Sequence, residues 1–187
     1  MTTLIIGLAM FFGIHVLTST PLRAVLVGAV GENPYKGVFS VLSFAGLGLI
    51  IWGFVLARAM PEATALVFTS PAWSKPVTSA LILVGLIIIG SGHGKGYIRK
   101  IVKQPMSVGI GVWAIAHLLS NGHLNEVMLF GSFLAYAVYD FVMSTLKGKV
   151  PTYDPELKAD IKAIVIGVII FAVLLFFHAT LFGVSVI

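Results

Sequence analysis

Five histidines and a single intramembrane aspartate are the residues of this chain that could do chemistry from apolar surroundings. His15, His117 and His178 each fall inside a different apolar stretch, Asp140 inside another, and His93 and His123 at stretch edges. Polar groups within a hydrophobic span are costly, so they mark candidate functional positions. A neutral imidazole can bind a metal or haem iron through one nitrogen while the other donates a hydrogen bond. The competing reading is that each histidine bonds only a neighbouring backbone or side chain. Three stretches with one histidine each are more than an inert bundle requires. Gly109, Trp113, Ala116, His117 and Ser120 follow helical spacing and share one face. A glycine below and an aromatic beside a histidine would let a flat macrocycle approach the helix. The same stripe would also pack a neighbouring helix, and on spacing alone packing is favoured. The candidate metal ligands are therefore His117, His15 and His178, with Trp113 and Gly109 as cofactor contacts. Asp140, one turn after Tyr136 and one before Ser144, is expected to be protonated or tightly paired and to act structurally. Gly90–Gly96 has the look of a phosphate cradle without the spacing of a P-loop, and reads as a flexible hinge. The chain holds no His-Glu-x-x-His motif, paired acidic motif, nucleophile elbow or cysteine.

The elements that must position these groups follow from composition. Of 187 residues, 58% are hydrophobic and only 10% charged, with a mean hydropathy of +1.05. A soluble domain carries roughly 25% charged residues to cover its surface. Soluble, disordered and nucleic-acid-binding classes are therefore excluded together, and the bilayer is the expected partner. Apolar stretches run over Leu4–Ser19, Val38–Ala57, Val77–Gly90, Met106–Ser120, Val127–Leu146 and Ala163–Phe182. A span needs about 20 apolar residues, or about 17 at the short end. The second, fifth and sixth qualify outright, and the first, third and fourth need their flanks. The expected fold is all-α, a polytopic membrane bundle of six transmembrane helices forming one domain over 1–187. The first stretch has no positive n-region and no cleavage signal, and reads as a retained helix.

Lysines and arginines set the orientation. Arg23, Lys36, Lys95, Arg99, Lys100, Lys103, Lys147, Lys149, Lys158 and Lys162 fall in the first, third and fifth loops, against Arg58 and Lys75 on the other side. Positive loops stay cytoplasmic, which predicts a bacterial inner membrane protein with both termini periplasmic. Thr18–Gly37 is expected to hold a short surface helix with Thr20 as N-cap. Arg58–Pro76, with three prolines, suits an irregular outer segment, and Lys147–Lys162 a solvated inner loop.

Three separated blocks carry a family resemblance. Gly13-Ile14-His15 leads into Pro21-Leu22-Arg23, Gly31-Glu32 and Tyr35-Lys36-Gly37-Val38-Phe39-Ser40. Lys103-Gln104-Pro105-Met106 continues through Gly109, Trp113-Ala114 and Ala116-His117-Leu118-Leu119-Ser120-Asn121-Gly122. Phe177-His178-Ala179-Thr180-Leu181-Phe182-Gly183-Val184 closes the pattern. Together they resemble the NnrU family over nearly the whole chain. The resemblance implies a helical membrane bundle associated with denitrification and nitric oxide metabolism. A related branch holds 15-cis-zeta-carotene isomerase, which uses haem b on a hydrophobic polyene, and His15 and His117 match its proposed haem ligands. Gln104 stands where many relatives carry histidine in an Arg-His-Pro motif, and Ala114 where the plant enzymes carry cysteine. Depth arithmetic favours another pair. His117 lies twelve residues beyond Pro105, about 18 Å along the helix, and both His117 and His178 precede the outer ends of their helices by about one turn. Three function classes follow: a haem b protein of nitric-oxide-linked redox metabolism, a haem-dependent cis-trans isomerase, and a structural or assembly factor.

Overall fold

The computed structural model describes residues 1–148 and 150–184. Lys149, counted in the charge bias, and Ile187, the end of the expected domain, lie outside the described residues. The elements are α1 (Thr2–Leu17), α2 (Leu22–Val30), α3 (Glu32–Ala57), α4 (Ser74–Ser91), α5 (Tyr97–Val102), α6 (Pro105–Ser120), α7 (Leu124–Leu146) and α8 (Leu157–Phe182). The expected all-α class holds, and each of the six apolar stretches is a helix. By length and composition alone six spans are not confirmed, though the number is close. Four helices, α3, α4, α7 and α8, are long and apolar enough to cross a membrane, and α1 with α2 makes a fifth only if this pair, bent by 85°, counts as one span. The reason is length: α6 has 16 residues, about 24 Å at 1.5 Å per residue, against a hydrocarbon core of about 30 Å.

The chain divides into two compact units, one of Met1–Thr69 with Asn121–Tyr136 and the other of Ser70–Ser120 with Ala137 onward. In the first unit α1 lies against α3. Their seam is built from Leu4, Leu8 and Ile50, with Phe11, Phe12, Phe54 and Leu129 packed around it. Small residues let the two backbones come close: a Cβ on Gly7 would sit 2.6 Å from the Ile50 nitrogen. The surface helix expected after α1 is α2, but Thr20 does not cap it. The Thr20 hydroxyl turns back to the Leu17 carbonyl at 2.8 Å, and α2 instead starts behind Pro21, whose fixed φ suits a helix entrance. Gly31, at φ +88°, makes the break into α3, where a side chain would be strained. Arg23 and Glu32 pair across that break at 2.9 Å. The segment after α3 is irregular, as its prolines require. It is fastened to the start of α7, where Val67 N–H donates to Gly122 O and Asn125 N–H to Ala63 O.

In the second unit α4 packs on both α6 and α8. The α4–α6 approach centres on two glycines, since a Cβ on Gly109 would lie 2.8 Å from the Gly85 carbonyl oxygen. Thr78 crosses the same seam, donating to Ala116 O at 2.9 Å and sharing a 2.6 Å bond with Ser120. On the other side of α4, a Cβ on Gly167 would meet Ile87 Cα at 3.0 Å. The Gly90–Gly96 segment ends α4, but its far end is not a loose hinge. Asp160, 5% exposed, accepts the Tyr97 N–H at 2.8 Å and the Ile98 N–H at 3.1 Å. That carboxylate satisfies two of the donors that a helix start leaves open. Tyr153 holds Gly96 O through its hydroxyl at 3.1 Å.

Candidate functional site

The three intramembrane histidines share one local geometry, a ring nitrogen turned onto a backbone carbonyl. His15, in the first unit, donates from Nδ1 to Phe11 O at 2.6 Å. Its ring is surrounded by Phe11, Phe39 and Tyr136, with centroids at 4.2, 5.1 and 5.8 Å. His117 and His178 both lie in the second unit. His117 donates from Nδ1 to Trp113 O at 2.8 Å, and the Trp113 ring stands 4.6 Å from its own. His178 donates from Nδ1 to Val184 O at 2.7 Å, across a helix end that Gly183 closes in the left-handed conformation.

A carbonyl oxygen can only accept, so each of these bonds puts the proton on Nδ1. The lone pair of the neutral ring is then on Nε2, the arrangement in which histidine ligates a metal. Of the two pairings, His117 with His178 is the one whose members lie within a single unit. Gly109, the other predicted cofactor contact, faces α4, where Gly85 and Ile89 fill the space beside it. Among the described residues no group of three or more His, Asp or Glu could hold a metal ion. One or two imidazoles would suit only a group that supplies most of its own metal ligands.

The edge histidines do other things. His123 presents its backbone N–H and its ring to Glu126, at 3.0 and 3.1 Å, in the manner of a helix-start cap. His93 borders a cavity of about 520 Å3 whose wall also includes Arg99, Lys103, Ser107, Asp140 and Ser144. Here the expectation of a paired Asp140 is met, by the Ser107 hydroxyl of α6. Gln104 ties the start of α6 to α7. Its amide nitrogen donates to Phe141 O at 2.9 Å and its oxygen accepts from Thr145 Oγ1 at 3.0 Å. Beside it Lys103 takes φ +64° and ψ −45°, and the Gln104 N–H bonds Val102 O at 2.7 Å. This is a γ-turn of the rare, strained hand. Ser107, Asp160 and the Lys103 turn were not singled out in the sequence. Only the local oddity of a turn squeezed between a basic run and Pro105 could have pointed to the last.

A family model described as NnrU protein matches residues 3–186. No curated protein and no solved structure matches the chain.

Proposed function

The chain belongs to the NnrU family, and from that premise we propose that it is a membrane protein that holds haem b between its helices and serves nitric-oxide-linked redox metabolism. The bilayer is its surroundings, and the basic loops make the cytoplasmic membrane of a bacterium the setting this reading adopts. The observation that supports it is the matched pair in the second unit. His117 and His178 each have Nδ1 committed to a backbone carbonyl, and both lie in the second unit. A backbone acceptor fixes tautomer and ring plane before any ligand arrives, so Nε2 is the nitrogen offered to an iron. His117 is the ligand common to both pairings, with His178 as its partner and His15 as the alternative implied by the family. Trp113, stacked beside His117, limits the ring's rotation and shields it from water. The haem, when bound, would supply a redox-active iron able to react with nitric oxide.

Protein purified in mild detergent from haem-replete cells is expected to show a Soret band that shifts on reduction and again on adding nitric oxide. His117→Ala should abolish the band, and His178→Ala should weaken it more than His15→Ala. A colourless preparation that takes up no haem on reconstitution would overturn the proposal. A haem spectrum indifferent to nitric oxide would overturn its functional half.

A further inference from the structure

The cavity of the second unit is separate from the histidine pair and has its own chemistry. It is bounded by the end of α4, the strained turn before α6, the start of α6 and the last two turns of α7. Its volume, about 520 Å3, is that of an ordinary small-ligand pocket. Two cations, Arg99 and Lys103, stand on its wall together with one carboxylate, Asp140. Arg99 is braced for such a role: it donates to Gly94 O at 3.2 Å and lies over the Tyr153 ring at 5.7 Å. Lys103 is carried to the wall by the γ-turn, a strained conformation that persists where surroundings impose it. Strain of this kind concentrates at ligand clamps and switch regions.

Asp140 decides which ligand suits the wall. Among the described residues its partner is the neutral Ser107 hydroxyl, while a carboxylate has about four lone-pair positions. A purely anionic ligand would sit well on Arg99 and Lys103 but would face Asp140 with like charge. A ligand bearing a phosphate at one end and an ammonium at the other matches all three groups. The wall is also apolar in part, through Met106 and Val150, which are 47% and 56% exposed. Lys95, Lys100 and Lys147 adjoin in sequence the cavity-lining residues His93, Arg99 and Ser144, and basic residues of this kind attract interfacial headgroups. We propose that this cavity binds the phosphoethanolamine headgroup of a membrane phospholipid, its phosphate on Arg99 and Lys103 and its ammonium on Asp140.

The test is native mass spectrometry of the detergent-purified full chain, with lipid titrated in and thermal unfolding followed in parallel. Phosphatidylethanolamine is expected to bind and to raise the unfolding temperature, with phosphatidylglycerol of the same acyl chains about tenfold weaker. Asp140→Asn should erase that preference. Lys103→Gln, on an exposed side chain that leaves the core intact, should weaken both lipids, and it keeps the proposal falsifiable if the Asp140 variant does not fold. Phosphatidylglycerol binding as tightly as phosphatidylethanolamine, or a Lys103→Gln protein with unchanged affinity for both, would overturn the proposal. Soluble phosphoethanolamine that saturates the site at the lipid's own concentration would overturn the assignment to a membrane lipid.

Discussion

Asp160 shows how much one side chain can organise. It lies in the charged run after α7, where the default for a carboxylate is solvation, yet it is buried and accepts two N–H groups at the start of α5. Its partners are 62 and 63 residues away in sequence, so no local pattern announces the contact. Gly96 is the complementary residue, because a Cβ there would collide with the Asp160 carboxylate. Asp160→Ala would take the acceptor from both part-buried N–H groups. Hydrogen bonds to a charged group are worth about 1.5–3 kcal/mol, and a loss of about that size is expected by thermal unfolding in detergent, with Asp160→Asn less affected. The histidines were legible for the opposite reason. An imidazole in an apolar stretch stands out by composition, and its bond to the carbonyl one turn earlier in His15 and His117 is local geometry. Asp140 falls between these cases. Its need for a partner could be read from burial, but Ser107 rather than Tyr136 or Ser144 could not, since that choice depends on how α6 and α7 register.

The helices themselves were legible because apolar length is a one-dimensional property. Each of the six stretches recovers a helix within a few residues, and the seams between helices required the third dimension. The stripe Gly109–Trp113–His117 is the instructive case. Helical spacing put these residues on one face, but could not say that the glycine would be occupied by α4 while Trp113 and His117 stack on each other. The 85° turn between α1 and α2 was hidden too, because Thr20 looks like a cap and the chain uses it to close α1 instead. Across the α4–α6 seam the polar bond is Thr78 to Ala116 O, reinforced by Ser120. Interhelical hydrogen bonds in membranes average about 0.6 kcal/mol and reach about 1.7. Thr78→Val keeps the shape and removes both bonds, so a destabilisation within that range is expected from equilibrium unfolding. Because Ala116 precedes His117, the same variant should also broaden any Soret band.

At the scale of the whole molecule, the family match runs through both units, so neither is an appendage to the family's fold. Orientation is a property of the entire chain. Counted over six crossings, basic residues gather on alternate connections, ten against two, and loops of that kind are retained on the cytoplasmic side. Reporter fusions within Lys147–Lys162 and after Ile187 are accordingly expected to report opposite sides, and the same side for both would reverse this assignment. The 16-residue length of α6 also has a consequence for the lipid. In the same unit α8 has 26 residues, about 39 Å, while α6 covers about 24 Å. Where α6 meets lipid along its length, the hydrocarbon must thin by about 6 Å or the headgroups must dip toward its ends. Such mismatch costs fractions of a kcal/mol per ångström and is relieved in a thinner bilayer. A thinner bilayer beside α6 would relieve that mismatch, while α8, at about 39 Å, would need less tilt as the bilayer thickens.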